Sequence, residues 1–160
     1  TRSLSPFHTV LRRVVVRVAP DWIMRLSRVR CDDSPPAGLI EGIRLFNERD
    51  FFACHEVLEL VWRAEPDPVR ALYQGILQIG VGFYHLGRRN WRGAVKLLEG
   101  GIEKVRRFLP TCMGVDTARL VAESERCLEV LHALGRDRID AFDWSLVPSV
   151  QMKEETDTRL

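Results

Sequence analysis

Long apolar runs are missing from this chain of 160 residues. None approaches the roughly 20 residues that cross a bilayer, which excludes an integral helical membrane protein. No secretory apolar region with a small-residue cleavage site is present either. Cysteine is scarce: the four, at 31, 54, 112 and 127, include no Cys-x-x-Cys pair. That spacing predicts no disulfide framework and leaves free thiols in a reducing compartment as the default, with Cys54 acting as a small hydrophobe inside a helix. Eleven glycines and eight prolines exclude collagen-like or low-complexity character. No glycine-rich loop precedes a helix start, and no Walker, Gly-x-Ser-x-Gly or Ser-x-x-Lys pattern occurs. A formal charge of only +2 argues against a nucleic-acid binder.

What is present is a globular composition, 46% hydrophobic and 29% charged, with room for one core. The charge is lopsided. Residues 1–31 hold seven arginines against one acid, Asp21, for a net of +6, and the rest of the chain carries −4. Such a basic head implies contact with an acidic protein partner, a larger assembly or a membrane surface, through residues such as Arg12, Arg13 and Arg17. The alternative is a basic helix packed on the acidic body of its own chain. A head rich in Arg and almost free of acids also resembles an organelle leader. The expected location is therefore the cytoplasm, or alternatively the plastid stroma after removal of a leader.

The pattern divides the chain into a basic N-terminal extension of short amphipathic helical segments, residues 1–35, a helical-bundle domain, 36–150, and a polar tail, 151–160. Within the body, apolar residues recur at helical spacing throughout. Helices are predicted over about 36–46, 51–64, 68–87, 91–108 and 116–135, with 110–115 as a loop. Asp50, Asn90 and Asp116 stand as N-caps. Phe142, Trp144 and Leu146 suggest a strap folding back. The stretch from Asp50 to Glu59 aligns with Asn90 to Glu99 at an offset of 40, each a cap, an aromatic, small residues, an apolar pair and a glutamate. The fold expected is all-α: a compact bundle of about five helices built on two stacked helical hairpins. The alignment sets His55 opposite Val95, which makes an inward imidazole the expectation.

Chemistry concentrates on two helices. His55 and Glu59 lie four apart on one face, with Trp62 on the same side. The string His55-Glu56-Val57-Leu58-Glu59 is spaced like a zinc-protease helix with Glu in place of the second His. On the next helix Gln74, Gln78 and His85 project to one side of an apolar helix, flanked by Tyr73 and Tyr84. Buried polar groups need partners, so a His–Glu–Gln seam between these helices is expected. It either fixes helix register, holds a metal through His55, Glu59 and His85, or lines an organic-ligand pocket with Trp62, Tyr73, Gln74, Gln78 and Asn47. Gly75, Gly80, Gly82 and Gly87 each weaken the helix by up to ~1 kcal/mol, which a close neighbouring helix or ligand would offset.

Phe46-Asn47, Asp50-Phe51-Phe52, Cys54-His55-Glu56-Val57-Leu58-Glu59 with Trp62, Tyr73-Gln74-Gly75-Ile76-Leu77-Gln78 through His85, and Asn90 with Gly93-Ala94 together resemble the domain of unknown function 309 family. The resemblance covers roughly residues 36–108. It implies a small all-helical fold and a metal site at His55 and Glu59. It implies no established activity, and nothing for the basic head or the region after Pro110.

Two functions follow. One is a non-catalytic binding or scaffold module that docks a protein partner through its head or a bundle groove. The alternative is a metal-dependent hydrolase with a divalent metal such as zinc on His55, Glu59 and His85 and with Glu56 as general base. The first is preferred, because Glu56 lies about 100° around the helix from His55 and only two ligands are firm.

Overall fold

A computed structural model describes residues 30–153 of the chain. Arg12, Arg13 and Arg17 of the basic head lie outside the described residues. Five helices follow in order: α1 Ala37–Asn47, α2 Phe51–Ala64, α3 Arg70–Gly87, α4 Trp91–Arg106 and α5 Thr117–Leu134. Two short 3-10 turns, Arg136–Ala141 and Trp144–Leu146, close the body. Sequential helices pack on one another, with the interface between α3 and α4 the most extensive. The all-α bundle built on helical hairpins is what the periodicity predicts.

Local chemistry explains the boundaries. The side chains of Asp50, Asn90 and Asp116 accept hydrogen bonds from the backbone N–H three residues on, at Ala53, Gly93 and Arg119, each capping a helix start that would otherwise leave donors orphaned. The repeat is visible as a shared corner. Arg49 and Arg89, 40 apart, both adopt the left-handed region (φ 64° and 60°). In each case the next residue's N–H returns to the carbonyl five residues back, Asp50 to Leu45 and Asn90 to His85.

The α3–α4 contact is close because glycine faces glycine. A Cβ on Gly75 would stand 3.0 Å from the Gly101 carbonyl oxygen, and one on Gly101 would stand 2.7 Å from the Gly75 carbonyl oxygen. The helix-propensity cost of Gly75 is thus offset by backbone approach. The core runs through the bundle from Leu39, Phe46 and Leu58 to Ile79, Phe83, Leu98 and Leu131.

Three features depart from the sequence expectations. The predicted loop at 110–115 holds a small hairpin, β1 Thr111–Cys112 against β2 Val115–Asp116. The segment set apart as a polar tail from residue 151 begins as an ordered partner of that hairpin. Asp116 N–H donates to the Gln151 carbonyl at 2.9 Å, and Met152 bridges Val115. The expectation of four free thiols is also corrected. Cys31 and Cys112 form a disulfide across 81 residues, whereas Cys54 and Cys127 are free and buried. Residue spacing gave no sign of that pair, because only the fold brings them together.

Candidate functional site

Only Phe51, Cys54 and Leu58 of α2 are buried. The helix therefore presents its flank at 52, 55 and 59 along the edge of α3. There Phe51, Phe52 and His55 of α2 meet Val81, Tyr84 and His85 of α3 around an almost wholly apolar cup of about 130 Å³. The Phe52 and Tyr84 rings stand 5.9 Å apart at centroid, and the Phe52 and His55 rings 6.3 Å apart. Phe52 is 55% exposed, a large apolar ring left on the surface.

The two imidazoles occupy the cup without facing inward as a seam. His55 has a side chain 36% exposed, with Nε2 3.6 Å from the Glu59 carboxylate. Glu59 in turn forms an ion pair with Arg63 at 2.5 Å. His85 is fixed from behind. Asn90 spends its Oδ1 on the Gly93 cap, which turns its amide Nδ2 toward His85 Nδ1 at 3.4 Å. An amide N–H donates, so in the orientation that caps α4 Asn90 presents a donor to His85 Nδ1. Beside the cup, the Arg88 guanidinium lies over the Tyr84 ring at 5.6 Å.

The remaining candidates scatter. Gln78 points to the other side of α3, where its Oε1 accepts from Lys104 Nζ at 3.0 Å, so it does not meet His55. Asn47 is no pocket residue. Its amide makes two hydrogen bonds with the Val150 backbone, at 3.0 and 2.7 Å, and straps the C-terminal segment onto α1. Tyr73 is wholly buried in the core with its hydroxyl unpartnered among the described residues, and burial pushes its pKa up to about 12, with the Glu65 carboxylate adding to the effect. Trp62 is half-buried beneath the Arg70 guanidinium, 5.4 Å from its ring. Gln74 is also half-buried, and Glu56 is exposed. Among the described residues no cluster of three or more His, Cys, Asp or Glu side chains is placed to hold a metal ion, so His55, Glu59 and His85 are not gathered into a ligand set. Of the cup-lining residues, Phe51, Phe52, Val81 and Tyr84 were not among the candidate site residues. Two successive aromatics directly after the Asp50 cap were the available signal.

The fold and site define a small all-helical domain of two stacked hairpins with a one-sided apolar cup. Residues 39–97, which carry that cup, match the family profile described as "Domain of unknown function (DUF309)". The resemblance read from the motifs thus holds over a segment shorter at both ends than 36–108. The chain is also similar to "Uncharacterized protein YpuF" of Bacillus subtilis (strain 168), 29% identical over 115 residues, which is 70% of this chain. It spans 63% of the length of that relative. No described helix is long and apolar enough to cross a membrane.

Proposed function

We propose that the protein is a non-catalytic docking module whose α2–α3 cup takes a single apolar side chain of an acidic protein segment. The observation that carries this reading is the exposed Phe52 ring set against Tyr84 over an apolar hollow. Hairpin packing does not demand it. At the equivalent positions of the second hairpin, 40 residues on, the chain has Arg92 for Phe52 and Val95 for His55. Size selects the occupant. Small-molecule sites usually enclose about 300–1,000 Å³, so a cup of about 130 Å³ suits one anchor side chain, the unit on which interface energy concentrates. Charge selects its flanks. Arg88 beside Tyr84 and exposed Arg92 at the start of α4 favour carboxylates next to the anchor.

A metal-dependent hydrolase has less support. Glu59 is engaged by Arg63, Glu56 is on another face, and the three ligands it needs are not gathered. On the docking reading, protein purified without chelators carries no stoichiometric metal that His55→Ala removes.

The test uses 3-phenylpropionate as probe, its ring for the cup and its carboxylate for Arg88. With about ten heavy atoms at roughly 0.3–0.4 kcal/mol each, its Kd should fall near 1 mM. Saturable shifts of the His55 and His85 ring resonances are expected. Val81→Phe, which fills the hollow, should abolish them, and Arg88→Ala should weaken them several-fold. Absence of saturation at millimolar probe, or equal binding by Val81→Phe, overturns the proposal.

A further inference from the structure

A second hollow, polar where the cup is apolar, lies between α5 and the C-terminal strap. It measures about 390 Å³, and its polar lining comes from Arg119, Glu123 and Arg126 of α5 and from Ser145, Ser149 and Gln151 of the strap. Arg119, Glu123 and Arg126 stand at i, i+4 and i+7, which puts all three on one flank of the helix.

The strap supplies backbone donors. Asn47 holds both the N–H and the carbonyl of Val150, so in an extended chain those of Ser149 and Gln151 turn to the opposite edge. The Gln151 carbonyl does so, accepting from Asp116 N–H at the start of α5. On that edge the N–H groups of Ser149 and Gln151 donate to no acceptor among the described residues. The charges of the hollow are only partly spent. Glu123 takes Arg119 Nε at 2.7 Å, which leaves the two terminal nitrogens of that guanidinium. Arg126 is exposed and enters no ion pair among the described residues. Ser145 is committed, its hydroxyl and N–H donating to Asp143 at 2.7 and 3.0 Å, and Asp143 is thereby satisfied outside the hollow. Two arginines against one glutamate leave the lining with an excess of positive charge.

We propose that this hollow binds the phosphate group of a small phosphate monoester. Arg126 forks onto two of its oxygens, and the Arg119 terminal nitrogens with the Ser149 and Gln151 N–H groups take the others. A planar guanidinium fork and convergent backbone N–H groups match such an anion. The volume falls within the usual range of small-molecule sites, so the organic part has room beside Leu146 and Val147.

Amide spectra of the full chain, titrated with glycerol phosphate near neutral pH at constant ionic strength, test this. The monoester is mostly dianionic there. Saturable shifts at Ser149 and Gln151 with a Kd of about 1 mM are expected, and sulfate, of like shape, should compete. Arg126→Ala should weaken binding about tenfold without moving the thermal melt, since the side chain is exposed, and Arg126→Lys should recover part of the loss. Glu123→Gln, which releases Arg119, should tighten binding several-fold, and Val81→Phe, at the cup, should change nothing. Shifts that fail to saturate, that sodium chloride reproduces, or that survive Arg126→Ala unchanged overturn the proposal. So does a phosphoserine peptide that binds at least tenfold tighter than glycerol phosphate, which assigns the hollow to a modified protein partner.

Discussion

Breaking the Cys31–Cys112 bond is the perturbation whose magnitude the fold specifies most directly. The bond closes a loop of 81 residues, and the chain-entropy relation gives about 4.5 kcal/mol for a loop of that length. Residual structure in the denatured chain reduces such figures, so about 2–4 kcal/mol is expected. With a urea slope of about 1.5 kcal/mol/M, the midpoint should fall by roughly 1.5–2.5 M on adding a dithiol reductant. The genetic counterpart is Cys31→Ser with Cys112→Ala. Alanine is preferred at 112 because that side chain is completely buried and a serine there would bury an unpaired hydroxyl. The double variant should unfold near the reduced wild-type midpoint and ignore reductant. Thiol counting in denaturant provides the chemical check: two reactive thiols before reduction, from Cys54 and Cys127, and four after it. Were reductant to leave the wild-type midpoint in place, or were four thiols to titrate before reduction, the cross-link would not be part of the native molecule.

Gly101→Ala should cost about 2–3 kcal/mol in urea unfolding although alanine is the better helix former, since the new methyl meets the Gly75 carbonyl at 2.7 Å and Ile79 N at 2.8 Å. Gly100→Ala, which meets only the end of the Gln78 side chain at 3.2 Å, should be neutral or stabilising, and equal costs at both positions would refute the close helix contact. Tyr73→Phe should gain about 1 kcal/mol by removing an unpartnered buried hydroxyl. Burial pushes Tyr73, Cys54 and Cys127 each up to about 12. The folded chain then retains protons that the unfolded chain releases above pH 9–10, so stability holds at neutral pH and falls from about pH 9 toward 12. Urea midpoints across that range measure the loss, and Tyr73→Phe should soften it above pH 10.

The parts of the fold that were legible in the sequence are those decided within a few residues. Asp50, Asn90 and Asp116 cap helices by reaching three positions ahead, and helix α2 begins and ends where its cap and the following Glu65-Pro66 pair require. The disulfide and the Asn47–Val150 staple were not legible. Their partners lie 81 and 103 residues apart, and composition carries no record of loops that close only in the folded state. The hairpin pairs locally, Thr111 with Asp116 and Cys112 with Val115, but two-residue strands are too short to show an alternating pattern. The His55 expectation failed for a related reason. The offset of 40 transferred the backbone corner correctly, including the left-handed Arg49 and Arg89. Burial, though, depends on what packs over a position. Val95 is buried, whereas His55 stays partly exposed where α2 meets the edge of α3.

The unequal burial of neighbouring helices marks exposed apolar surface that the motif does not. Ten of the eighteen residues of α3 are buried, against three of fourteen in α2. A helix so placed keeps the narrow stripe of Phe51, Cys54 and Leu58 for the core, with Val61 and Trp62 packed against it, and leaves Phe52 and Leu60 exposed. Phe52 on one flank and Leu60 on the other are large hydrophobes that the bundle does not use, and exposing them has no folding benefit to set against the risk of aggregation. The same reasoning separates them from His55 and Glu59, whose contact and the Arg63 pair beyond it are ordinary neighbours at i and i+4 along one helix face. Because Phe52 and Leu60 contribute little to the core, polar replacements there should leave the melt of the body near the wild-type value, and replacement of Phe52 should in addition weaken probe binding at the cup.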